Sequence, residues 1–129
     1  VLEVRMGRNQ MSLESQFQSA LLLAAPARLP SLRLFRRNIG EARLRGGYTV
    51  QFAIPGQCDL YGIVRGGGHI EIELKGLKTR VEPEQRAWAD WCAEWRVPYL
   101  LLRPEKSETV TQTVYRWCHE IENQILNFR

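Results

Sequence analysis

The tripeptide Glu73-Leu74-Lys75 sets a carboxylate and an ammonium two residues apart, and on an extended strand such residues share a face. It ends an alternating run, His69 to Lys75, that Gly66-Gly67-Gly68 joins to a second alternating run, Asp59 to Arg65. A hairpin centred on Gly67 pairs Arg65 with His69, Ile63 with Glu71, Tyr61 with Glu73 and Asp59 with Lys75. Asp59 then lies on the face of Glu73 and Lys75, diagonal to Glu73 and within reach of a common ion. A slip of one residue would turn it to the opposite face. Two carboxylates this close repel unless a hard cation sits between them, and Mg²⁺ favours one or two carboxylates plus waters and substrate phosphate. A lysine beside such an ion can orient the attacking water and, with a lowered pKa, help deprotonate it. That is the equipment of phosphodiester hydrolysis.

Tripeptides of this kind are common on exposed strands, so the alternative reads Glu71, Glu73 and Lys75 as the solvated face of an amphipathic hairpin. Two neighbours favour the site. Asp59 follows a Pro55-Gly56 break, and Gln85 opens the next helix on its core-facing side, three residues before Trp88. A helix-end Gln bonded to a loop is the other reading of Gln85.

The elements that must position these residues follow from periodicity. Ser12 caps a helix over about 12–25, with Leu13, Phe17, Ala20, Leu21 and Ala24 on one face, and Pro26 ends it. Leu32, Leu34 and Phe35 among Arg33, Arg36 and Arg37 predict a short strand, followed by a Gly40–Gly47 loop and a strand from Tyr48 to Ile54. After the hairpin and a Gly76–Glu82 loop, Pro83 opens a helix whose Trp88, Trp91, Cys92 and Trp95 mark a core-facing stripe. Tyr99 to Arg103 reads as a buried strand. Val110, Val114, Trp117, Ile121, Ile125 and Phe128 mark a closing helix. The order is α-β-β-β-β-α-β-α.

A chain of 129 residues, 44% hydrophobic and 25% charged, fits one globular domain and excludes disorder and collagen. Its net charge of +4 is local: six arginines from Arg28 to Arg45 face only Glu41. Fifteen of the eighteen cations are arginine, whose forked donors suit phosphate oxygens. The rival reading of the cluster is a charged strand edge that resists aggregation. Three cysteines without a C-x-x-C support neither a disulfide framework nor a zinc ribbon and point to a reducing compartment. The apolar stretch Ala20–Ala27 is too short to span a bilayer, so no membrane partner is expected. Residues 1–11 read as a tag or leader, and 12–129 as one domain. Gly66-Gly67-Gly68 lacks the helix and lysine of a phosphate loop, so no nucleotide cofactor is expected. His69 reads as a solvated turn residue, Cys118-His119 as half core and half surface, and the tryptophans as packing.

In order, Glu14, Arg37-Asn38-Ile39-Gly40, Gly56-Gln57-Cys58-Asp59-Leu60, Glu73-Leu74-Lys75 and Gln85-Arg86-Ala87-Trp88 resemble the virus-type replication-repair nuclease domain, a compact branch of the PD-(D/E)xK nucleases. The resemblance spans about Leu13 to Arg103 and departs at Cys58, where the motif usually has Pro. It implies an α/β restriction-endonuclease-like fold, a central mixed sheet flanked by helices. It also implies that Asp59 and Glu73 ligate Mg²⁺ or Mn²⁺, with the Leu74 carbonyl as a third ligand, and that Lys75 acts on the water. Gln85 would support the site. Glu14 would approach directly or through water, or serve only as a helix-start acid. Arg36, Arg37, Arg43 and Arg45 would contact phosphates, with Lys78 and Arg80 extending the track. The resemblance implies that stand-alone members pair as homodimers and can act on branched DNA such as four-way junctions, and a cytoplasmic protein of bacterial or phage origin is expected. The first helix and the Val110–Phe128 helix are the expected dimer contacts. The rival functions are a non-catalytic nucleic-acid-binding module and an RNA-directed nuclease.

Overall fold

A computed structural model describes residues 12–38, 41–51 and 53–127. The expected leader over 1–11, Ile39 and Gly40 of the Arg37 motif, Phe52 and Phe128 lie outside the described residues. Helix α1 spans Leu13–Arg28, and the Ser12 side chain accepts from the Ser15 N–H at 3.1 Å as its cap. Pro26 does not end it. A proline in the last turn forfeits one backbone bond, and the Leu29 N–H still closes the helix on the Ala25 carbonyl at 2.7 Å.

Strand β1 (Leu32–Arg36) leads to β2 (Glu41–Arg43) and β3 (Thr49–Gln51), which pair antiparallel as a separate two-stranded ribbon. The expected Gly40–Gly47 loop therefore holds a short strand, and of the expected strand Tyr48–Ile54 the described part in β-pairing is Thr49–Gln51, outside the main sheet. That sheet has the order β1-β4-β5-β6, with β4 (Leu60–Val64) and β5 (His69–Leu74) antiparallel and β6 (Tyr99–Leu102) parallel to β5. Helix α2 (Pro83–Glu94) crosses between β5 and β6, and α3 (Val110–Asn127) closes the chain. The fold is α/β, a four-stranded mixed sheet between helices.

The two faces of the sheet differ in chemistry. Ile70, Ile72 and Leu74 join Leu32, Leu60 and Leu102 against Phe17, Leu21, Trp117 and Ile121 of α1 and α3. Each fully buried side chain of this kind contributes about 1.5–3 kcal/mol. Trp117 tilts against Phe17 at 5.5 Å and donates its indole N–H to the Arg103 carbonyl, so the large ring is buried without an orphan donor. The apolar stripe of α3, expected at a dimer contact, is thus committed to the core.

The hairpin register differs from the expected one. Tyr61 pairs with Glu71 and Leu60 with Ile72, a turn centred on Gly66 rather than Gly67. Gly66 and Gly67 both adopt positive φ, which closes a three-residue turn between Val64 and Gly68. The shift moves each partner by two residues, so every side chain keeps its face.

Candidate active site

Rows of side chains cross the face opposite the core. Phe35, Tyr61, Glu71 and Tyr99 form one row; extending the registers by one step makes Arg37, Asp59, Glu73 and Leu101 the next. Asp59 therefore faces Glu73 directly instead of Lys75. Strand pairing is opening there, because the Asp59 backbone N–H donates at 3.2 Å to Glu73 Oε1 instead of to a main-chain carbonyl. The Arg37 N–H holds the Asp59 carbonyl at 2.8 Å from the other side.

The solvated-face alternative does not describe this hairpin: Glu71, Glu73 and Lys75 are 1%, 2% and 5% exposed. Helix α2 lies over them. Its expected core-facing stripe meets this charged face, and among the stripe residues only Cys92 is buried; Trp91 and Trp95 remain exposed. Gln85 makes contacts in both directions. Its Oε1 accepts from the Glu82 N–H at 2.9 Å at the helix start, and its Nε2 donates to Glu73 Oε2 at 3.0 Å. Gly56 brings the loop before Asp59 against this helix start. Its φ is +93°, and a Cβ there would lie 2.1 Å from the Glu84 carbonyl oxygen.

Glu73 sits in a field of acids. Burial first, then the charge of Asp59, pushes its carboxyl from 4.5 to about 7; the Asp59 N–H and Lys75 pull it back in part, and Glu14 adds to the rise. Asp59 is also raised, by burial and then by Glu14, with Lys75 opposing. The structure thus brings Asp59, Glu73, Lys75 and Gln85 together at one end of the sheet, with Glu14 near enough for its charge to act on both acids. The Leu74 side chain is buried in the core between them in sequence. Among the described residues, no group of three or more His, Cys, Asp or Glu is spaced to hold an ion.

An acid whose folded pKa lies above its unfolded value stabilises the fold below the unfolded pKa, and that contribution is lost as pH rises through the folded pKa. The metal-free chain is therefore expected to lose melting temperature as pH climbs from 4.5 to about 7. Calorimetry across that window checks it, and Glu73→Gln should flatten the slope.

Sequence reasoning missed the neighbouring network around Glu71. Arg37 grips it in a forked pair, Nη1 to Oε1 at 2.6 Å and Nη2 to Oε2 at 2.8 Å; the His69 and Trp88 ring N–H groups complete its shell. Burial pushes the Glu71 carboxyl up, but these donors outweigh it and hold it below 4.5. Arg37 Nη1 also donates to the Cys58 carbonyl at 3.0 Å, so one side chain pins the backbone entering Asp59. Arg37 was expected on phosphate, and the structure places it on Glu71. The signal lay in the alternation itself, since Glu71 shares the face of Glu73. Cys58, at the motif's proline position, is buried, and burial pushes its thiol far up. Arg36 on β1, Arg43 and Arg45 on the ribbon, and Lys78 and Arg80 in the loop after β5 are all exposed.

No family model, curated protein or solved structure matches the chain. No helix among the described residues is long and apolar enough to cross a membrane.

Proposed function

We propose that the chain is a divalent-metal-dependent endonuclease that hydrolyses DNA phosphodiesters on a PD-(D/E)xK sheet. The observation that carries this reading is the face-to-face pair of half-buried Asp59 and buried Glu73, with Lys75 and Gln85 on the same side. Burying two acids with one lysine is unfavourable for an empty fold, as the raised carboxyls record. The donor set is all oxygen and only two carboxylates deep, which fits a small hard cation that keeps several waters. Asp59 and Glu73 would hold Mg²⁺ or Mn²⁺, with the Leu74 carbonyl as a further oxygen donor and Glu14 reaching the ion through water. Bound there, the ion supplies charge to a phosphoryl oxygen and acidity to water.

The chain's own residues do the rest. Gln85 fixes the rotamer of Glu73 through Oε2, leaving lone pairs on both carboxylate oxygens. Lys75, buried beside the pair, orients the attacking water along the scissile bond. Arg36, Arg43, Arg45, Lys78 and Arg80 hold flanking phosphates. Arg37 positions Asp59 and does not touch the substrate.

Because the folded state gathers the acids and the unfolded chain does not, millimolar Mn²⁺ should raise the melting temperature by about 5 °C. Asp59→Asn should abolish the shift. An unchanged melting curve counts against a preformed site. Branched DNA is the proposed substrate. A two-fold homodimer would place two centres to make paired nicks. Of the apolar residues that the two helices leave outside the core, Leu13 and Leu23 on α1 and Tyr115 and Leu126 on α3, Leu23 is the most exposed and is the proposed dimer contact. Light scattering should give about twice the 15.0 kDa chain mass, and Leu23→Glu should return it to one.

A further inference from the structure

Helix α2 packs on the charged face beside β6 and reaches Glu71 of β5 through Trp88, while Phe35 of β1 and Ile63 of β4 on the same face are exposed. Phe35, Tyr61 and His69 stack side by side across three strands, with centroids 5.3 and 5.8 Å apart and planes within 25° of parallel. The stack ends at Phe35 on the edge strand, where the ring is 44% exposed beside Ile63 at 42%. A groove of about 430 Å³ follows, lined by Phe35, Ile63, Arg33 and Arg65. Arg33 is held against the Pro30 and Leu32 carbonyls by Nη1, and Arg65 is exposed at the turn.

An apolar ring end flanked by two guanidinium groups is complementary to a base joined to its phosphates, and to neither an acidic nor an apolar protein surface alone. We propose that this open face binds an unpaired nucleotide beside the cut, its base stacked on Phe35 and its phosphate held between Arg33 and Arg65. Phe35 lies two residues along β1 from the Arg37–Asp59 row, about 7 Å, or roughly two stacked nucleotide steps of about 3.4 Å. A strand crossing the sheet therefore meets the acid pair and the ring in succession. A base inside a duplex offers no free ring face to Phe35, so the groove selects unpaired segments such as those at branch points and flaps. Only the position of the cut rests on the nuclease reading; the binding does not.

Fluorescence anisotropy of the full chain in EDTA, with a labelled single-stranded oligonucleotide and the same sequence as a duplex, tests this without cleavage. Phe35→Ala should weaken single-strand binding about tenfold, with duplex binding changed less than about twofold. Phe35→Tyr should retain wild-type affinity and Phe35→Leu should not, which separates stacking from apolar contact. Arg33→Gln and Arg65→Gln should each lower the salt dependence by about one phosphate contact. Unchanged single-strand affinity in folded Phe35→Ala, or an equal loss on duplex, overturns the proposal. Phe35-dependent binding in a chain that cuts nothing would sink the nuclease reading and leave this one standing.

Discussion

Asp59→Ala and Glu73→Ala should each reduce Mg²⁺-dependent cleavage by about a thousandfold or more while leaving DNA affinity within about twofold, since removal of charge-stabilising groups typically costs at least this much. The two effects separate because the acids and the arginines occupy different parts of the surface. Glu73 lies buried beneath α2 with Asp59 half-buried beside it, and the arginines proposed to meet phosphate are exposed on β1 and the β2–β3 ribbon or in the loop after β5. Lys75→Ala should cut turnover comparably and preserve the Mn²⁺-induced rise in melting temperature, because lysine donates no lone pair to the ion. Gln85→Ala should be milder, freeing the Glu73 rotamer without removing a carboxylate. A Glu73→Ala protein that still nicks at the wild-type rate with Mg²⁺ would move the chemistry elsewhere.

The second large effect is on stability. Glu71→Ala should destabilise the fold by about 3–5 kcal/mol, because it leaves the Arg37 guanidinium uncompensated in a largely buried position. Their side chains are 15% and 2% exposed, and the loss also orphans the Trp88 indole N–H. Replacing both members, as Arg37→Met with Glu71→Leu, should recover most of the stability, since a buried pair is often replaceable by apolar residues of similar volume. The double variant should not recover cleavage, because nothing then holds the Cys58 carbonyl before Asp59. Urea unfolding measures the first effect and a cleavage assay the second. A loss below about 1 kcal/mol for Glu71→Ala would show that the pair contributes no more than an exposed salt bridge.

The strands, the closing helix and the meeting of Asp59 with Glu73 were legible because alternation and helical periodicity are local properties. The face of Asp59 survived an incorrect register only because the shift was even. The turn centre was not legible, since three successive glycines allow more than one tight turn and the choice is made by strand pairing. The burial of the charged face was also hidden. Glu71, Glu73 and Lys75 alternate with Ile70, Ile72 and Leu74 as on any half-solvated strand, and only the return of α2 over the sheet covers them. The tryptophan stripe of α2 was visible, but periodicity cannot say what a stripe packs against. Arg37 illustrates the same limit: one arginine among six looks like part of a basic track until its forked partner is seen 34 residues away. Strand β2 escaped because a three-residue strand carries too little pattern, and β3 was read as longer than it is.

Nicking of supercoiled plasmid by the wild-type chain, with Mn²⁺ and with EDTA, alongside Asp59→Ala at the same concentration, tests the central claim most directly. The wild-type chain with Mn²⁺ should yield relaxed circles, and supercoils should stay intact both in EDTA and with the variant. Cleavage that persists in EDTA or in the variant, or no cleavage of plasmid or branched DNA by a folded wild-type chain, would contradict it.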